Sequence, residues 1–153
     1  HALELDRWSR HLGIPIKLKP KHYPPSDQRP AGHMVMAAAA RGMDAMRLSQ
    51  ALLKALWLED RDIADPRTRI AIAEEQGMPG DSLHREEESA SIQAEFDRNN
   101  RDAIARGVFG APTYVCDELF LWGQDRLFFL DKYLGGEAVQ SGPAQTIAKT
   151  RAR

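Results

Sequence analysis

Residues that favour extended backbone stand near the two ends of this chain, far apart. Early on, Ile14, Ile16 and Leu18 alternate with Pro15, Lys17 and Lys19 in the period of two that a strand requires, with one cationic face. Late in the chain, "APTYVCD" is rich in β-branched and aromatic residues, and "ELFLWG" follows it with Asp117-Glu118 where a tight hairpin turn would fall. A lone early strand is not stable. It is therefore expected to pair with the late hairpin, giving an α/β chain whose mixed sheet is interrupted by a helical insert.

The helical text is well punctuated. Leu3, Leu5, Trp8 and Leu12 form an apolar stripe that Gly13 ends. "KPKHYPPSDQRPAG" reads as a loop, because Pro20, Pro24, Pro25 and Pro30 oppose regular structure. Met34 to Glu59 has helix composition, split or bent at Gly42. Asp65 followed by Pro66 is an N-cap and first-turn signal, and Gly77 ends that helix. A short helix and a longer one ending at Gly107 come next. After the hairpin, "QDRLFFLDKYL" is an amphipathic helix closed by Gly135-Gly136, and the remainder reads as a loose tail.

Composition narrows the function. The 153 residues suit one compact domain with room for a sub-domain, and 42% apolar content is enough for a core. A net charge of −1 gives neither nucleic acid nor a membrane surface an electrostatic reason to bind. No apolar run approaches the roughly 18 residues of a membrane span, and no secretory leader is visible. The single cysteine, Cys116, excludes an internal disulfide or a Cys-x-x-Cys within these residues, which suits a reducing, cytoplasmic setting. Cys116 reads as a small buried hydrophobe rather than a nucleophile. The five histidines lack metal-ligand spacing, so no metal is expected. Met34, Met36, Met43 and Met46 read as packing residues. The opening "HALELDRWSRHLGIP" is helix-like from the start and has no initiator methionine, which sets the expectation of a segment upstream.

Pro112 at the head of a strand, the hairpin after it and "WGQDRLFFLDKYL" resemble the C-terminal half of a thioredoxin-like domain. More narrowly, "WLEDRDIADP", "NNRDAIARGVFGAPTYV" and "LFLWGQDRLFFL" resemble the 2-hydroxychromene-2-carboxylate isomerases and their relatives, the kappa-class glutathione transferases. The resemblance covers most of residues 1–134. It implies a thioredoxin-like part made of 1–24 and 105–135, a helical insert over 25–104, and a flexible tail over 136–153. In that family a βα unit carrying the active-site serine precedes the point where this chain begins, so no position here is assigned as the catalytic residue.

The resemblance also implies a glutathione site. It makes Ala111-Pro112 a cis bond, with the Ala111 backbone turned toward the cysteinyl unit of glutathione. The alternative is a trans proline that merely starts an edge strand. Gln124 and Asp125 open a helix whose free N–H groups suit a carboxylate, while Asp125 suits an ammonium; together they match the γ-glutamyl end. Asp125 serving only the helix dipole is the bland reading. Arg126 either joins the same pocket or pairs on the surface. Lys17, with Lys19, Lys21 and His22, is a landing place for a substrate carboxylate or a set of solvated edge charges. Trp57 either walls an aromatic substrate or packs in the core.

These readings converge on a glutathione-dependent isomerase of aromatic hydroxy-carboxylates in arene breakdown, with a homodimer suggested by the family. Two rivals stand beside it. One is a thiol–disulfide oxidoreductase of the same superfamily, which needs a Cys-x-x-Cys in the upstream unit. The other is a non-catalytic fragment that persists by dimerisation or strand swapping.

Overall fold

The structure, a computed structural model, describes residues 2–140; residues 141–153, most of the expected tail, lie outside the described residues. The chain divides into two compact units, residues 1–96 and residues 97–153. The first contains α1 (Ala2–Leu12), α2 (Arg29–Ala40), α3 (Ala45–Trp57), α4 (Pro66–Glu75), α5 (Gly80–Glu87) and the start of α6 (Ala90–Ala105). The second contains the rest of α6, β1 (Thr113–Cys116), β2 (Leu119–Trp122), a 3-10 turn at Gln124–Arg126, and α7 (Leu127–Leu134).

The alanine-rich text of α2 explains the core of the first unit. Ala37 and Ala38 on α2, Ala55 on α3 and Ala73 on α4 are wholly buried, and such small side chains let helix axes approach closely. Met34, Leu48, Ile72 and Leu83, one from each of α2 to α5, fill the space between them. Gly42 separates α2 from α3 as expected: at φ +67° it takes the left-handed conformation that other residues resist. Asp44 then caps α3 through the Arg47 N–H at 3.0 Å, and Asp65 caps α4 through the Thr68 N–H at 2.9 Å.

One charged pair lies inside this apolar unit. Arg69 on α4 and Glu87 on α5 are only 3% and 1% exposed. The guanidinium of Arg69 donates to both Glu87 oxygens and to the carbonyls of Ile63 and Ala64. His84 Nδ1 lies 2.8 Å from Glu87 Oε1. The pair therefore ties α4, α5 and the loop before α4 together, with the buried charges almost fully hydrogen-bonded.

Two expectations are corrected. The early alternating segment forms no strand, so the sheet among the described residues is a two-stranded antiparallel hairpin rather than a mixed sheet. The backbone donors of this segment go to helix ends instead: Ile14 donates to the Ser9 carbonyl at 3.0 Å and Lys17 to the Trp57 carbonyl at 2.7 Å, while Pro15 has no N–H to offer. The proline-rich loop also ends earlier than expected. Arg29-Pro30 opens α2, because a proline in the first turn needs no donor.

In the second unit, β1 and β2 pair with Thr113 opposite Trp122 and Cys116 opposite Leu119. Asp117, at φ +50°, makes the two-residue turn possible. Leu119 and Leu121 are buried on one face of β2, whereas Phe120 and Trp122 lie on the other. No helix among the described residues is long and apolar enough to cross a membrane.

Candidate functional site

The head of β1 and the start of the final helix meet through one backbone hydrogen bond. The Ala111-Pro112 peptide is cis, and the Pro112 carbonyl accepts from the Gly123 N–H at 2.9 Å. That bond extends the hairpin ladder by one step beyond Thr113 and Trp122. Gly123 is required there twice over. Its φ of +107° is strained for any side chain, and a Cβ would stand 2.5 Å from Asp125 Oδ1. The carboxylate of Asp125 thus folds back over Gly123, with the Arg126 guanidinium 3.6 Å away.

The hydrogen-bonding capacity left at this place is specific. Among the described residues, neither the N–H nor the carbonyl of Ala111 has a backbone partner, and the N–H groups of Gln124 and Asp125 have none either. Ala111, Pro112, Gln124, Asp125 and Arg126 are all exposed. All five residues expected to form a glutathione site are therefore brought together in the second unit. They present one acceptor and three donors of the backbone, one carboxylate and one guanidinium.

Sequence reasoning missed a cavity next to this set. About 550 Å³ in volume, it is lined by Phe120, Trp122, Phe128 and Phe129 together with Arg126 and Lys132. Lys132 Nζ sits 5.2 Å from the Phe128 ring centroid and 2.8 Å from Glu137 Oε2. The signal was present as the two-residue spacing of Phe120 and Trp122, which places both rings on one face of β2. Cys116 is half-buried and unbridged in β1.

The other two expected residues, Lys17 and Trp57, lie in the first unit and belong to one local arrangement. The Lys17 ammonium pairs with Asp60, whose other carboxylate oxygen accepts the Lys21 N–H at 2.8 Å. His22 Nδ1 is 3.7 Å from Asp62. The basic segment thus has partners within the chain. Trp57 packs against the core and meets the Tyr23 ring at 4.6 Å between centroids. It also lines a cavity of about 480 Å³ with Tyr23 and Phe96.

The hydrogen bond from Lys17, reinforced by the Lys21 N–H, holds the Asp60 carboxyl below its ordinary value of 3.8. A carboxyl whose folded value is depressed adds stability that is complete above the unfolded value and disappears as the pH falls through the folded one. The Lys17–Lys21 segment is therefore expected to release from Asp60 only below pH 3.8. The Lys21 amide resonance, followed by NMR against pH, should show that inflection. Asp60→Asn should abolish it while tolerating the native φ of +55°. An unshifted inflection would show that the contact does not form.

A cis-proline strand head beside a helix start, in a hairpin followed by a helix, defines a thioredoxin-like half-domain. The chain belongs to the DSBA-like thioredoxin domain family, whose pattern matches residues 2–135. It is similar to 2-hydroxychromene-2-carboxylate isomerase of Sphingobium xenophagum, 33% identical over 132 residues, 86% of this chain and 65% of that protein. The isomerase of the same name from Pseudomonas putida is 27% identical over 133 residues, 87% of this chain and 63% of that protein. The solved structure of a 2-hydroxychromene-2-carboxylate isomerase superposes with a TM-score of 0.69 at 27% identity, covering 88% of this chain and 64% of its own. The chain thus spans less than two thirds of the length of each of these relatives.

Proposed function

We propose that this protein is a glutathione-dependent isomerase of aromatic hydroxy-carboxylates, such as arise in the breakdown of polycyclic arenes. The observation that carries the reading is the Gly123 N–H to Pro112 carbonyl bond, which sets the unpartnered Ala111 backbone beside the unpartnered N–H groups of Gln124 and Asp125. This set fits glutathione. The Ala111 N–H and carbonyl pair with its cysteinyl unit as a short added strand. The Gln124 and Asp125 N–H groups receive the γ-glutamyl carboxylate. The Asp125 carboxylate receives the ammonium, and Arg126 steadies Asp125 or meets the second carboxylate. The chemistry glutathione supplies when bound is a reversible thiol addition that lets a double bond of the substrate rotate.

Trp57 and Tyr23 wall the aromatic part of the substrate, and Lys17 contributes positive charge beside them. Residues 1–24 and 105–135 make up the thioredoxin-like part of this enzyme, and 25–104 its helical insert. A homodimer in a cytoplasmic, glutathione-rich setting completes the reading. The names of the relatives support isomerisation. Family membership alone also suits thiol–disulfide exchange, but Cys116 by itself cannot supply a dithiol.

Titration calorimetry with reduced glutathione tests this reading, with micromolar affinity as the expected result. Asp125→Asn should weaken binding about 10- to 100-fold, since a hydrogen bond to a charged group is worth about 1.5–3 kcal/mol. Cysteinylglycine, which lacks the γ-glutamyl end, should bind both forms equally weakly. Absence of glutathione binding, or an Asp125→Asn variant that binds as the parent does, would remove the reading.

A further inference from the structure

We infer that Trp122 is a positioning residue for the glutathione site, holding the Gly110–Pro112 turn so that the Ala111 backbone faces outward; this rests on the function proposed above. Trp122 is 52% exposed and lies on the face of β2 opposite the buried Leu119 and Leu121, so core burial does not explain its place. Its indole is instead pressed onto Gly110. A Cβ at residue 110 would stand 2.8 Å from Trp122 Nε1. Gly110 is not among the residues with positive φ, so the approach of the indole, not the backbone conformation, demands glycine there.

Two further contacts hold the arrangement. The Phe109 ring backs the indole at 5.0 Å between centroids. The Thr113 hydroxyl donates to the Gly110 carbonyl, closing the turn across Ala111-Pro112. Because Thr113 and Trp122 are directly opposite in the ladder, the indole reaches the turn from the neighbouring strand. Trp122 also lines the cavity that holds Arg126, so one side chain touches both the turn and the wall beside the helix start.

A methyl group at residue 110 pushes the indole away, and removal of the indole leaves the turn unsupported. Both changes therefore produce the same defect. Gly110→Ala and Trp122→Ala should each weaken glutathione binding on the order of tenfold, because small displacements of a positioning group are costly. The double variant should be no worse than Trp122→Ala, since the added methyl then meets nothing. Trp122→Phe, which keeps a ring over Gly110, should retain most of the affinity and guards against loss of the fold in the alanine variants.

Calorimetry with glutathione, at a temperature below every variant's measured Tm, reads the effect separately from stability. Binding unchanged in Gly110→Ala and Trp122→Ala, or effects that multiply in the double variant, would overturn the positioning role while the parent's binding upholds the glutathione reading. Failure of the parent to bind would overturn both.

Discussion

Glu87→Ala is expected to destabilise the helical unit by about 3–5 kcal/mol, the cost of leaving a buried guanidinium without its carboxylate. Arg69 and Glu87 are 3% and 1% exposed, and no solvent reaches them to replace the lost partner. The loss extends beyond one pair. The Arg69 Nη1 bonds to Ile63 and Ala64 and the His84 contact to Glu87 are organised by the same two side chains. Urea unfolding, followed by the fluorescence of Trp57 in the same unit, measures the effect. The double variant Arg69→Met, Glu87→Leu should recover much of the loss, because two apolar side chains of similar bulk need no compensation. A loss below about 1 kcal/mol for Glu87→Ala would show that water enters the site.

Leu48→Ala should cost about 2–5 kcal/mol, the usual range for a buried leucine whose cavity cannot collapse fully. Leu48 is wholly buried on α3, among side chains from α2 and α4, and wholly buried alanines leave few long neighbours to fill the space. Met46→Ala, two residues earlier on the same helix, is the control. Met46 is 68% exposed, and its loss should stay within about 0.5 kcal/mol. Equal effects at the two positions would mean that α3 presents a different face to the core.

Much of the fold was legible residue by residue. Asp65-Pro66 and Gly42 act within a few residues of themselves, and the helices begin and end where those signals stand. The hairpin followed from β-branched and aromatic text around Asp117-Glu118. The glutathione set was legible for the same reason: Pro112 and Gln124 to Arg126 flank one hairpin, so short-range pairing suffices to gather them. The early strand misled because alternation describes a side-chain pattern and not a partner. Ile14 to Leu18 alternates, but its donors meet helix carbonyls. Arg69 and Glu87 looked like surface charges, since a helix pattern does not say which charged residue turns inward.

The amino-acid sequence by itself determined where helices and the hairpin start and stop, because caps, prolines, left-handed glycines and side-chain periodicity act over one or two turns of chain. Only the tertiary structure decided the pairings. Lys17 meets Asp60 across 43 residues and Arg69 meets Glu87 across 18, and Trp122 comes to rest on Gly110 from the opposite strand. Each depends on how whole elements pack, where a donor takes whichever acceptor the packed chain brings within reach, and no local preference of the residues involved specifies that partner.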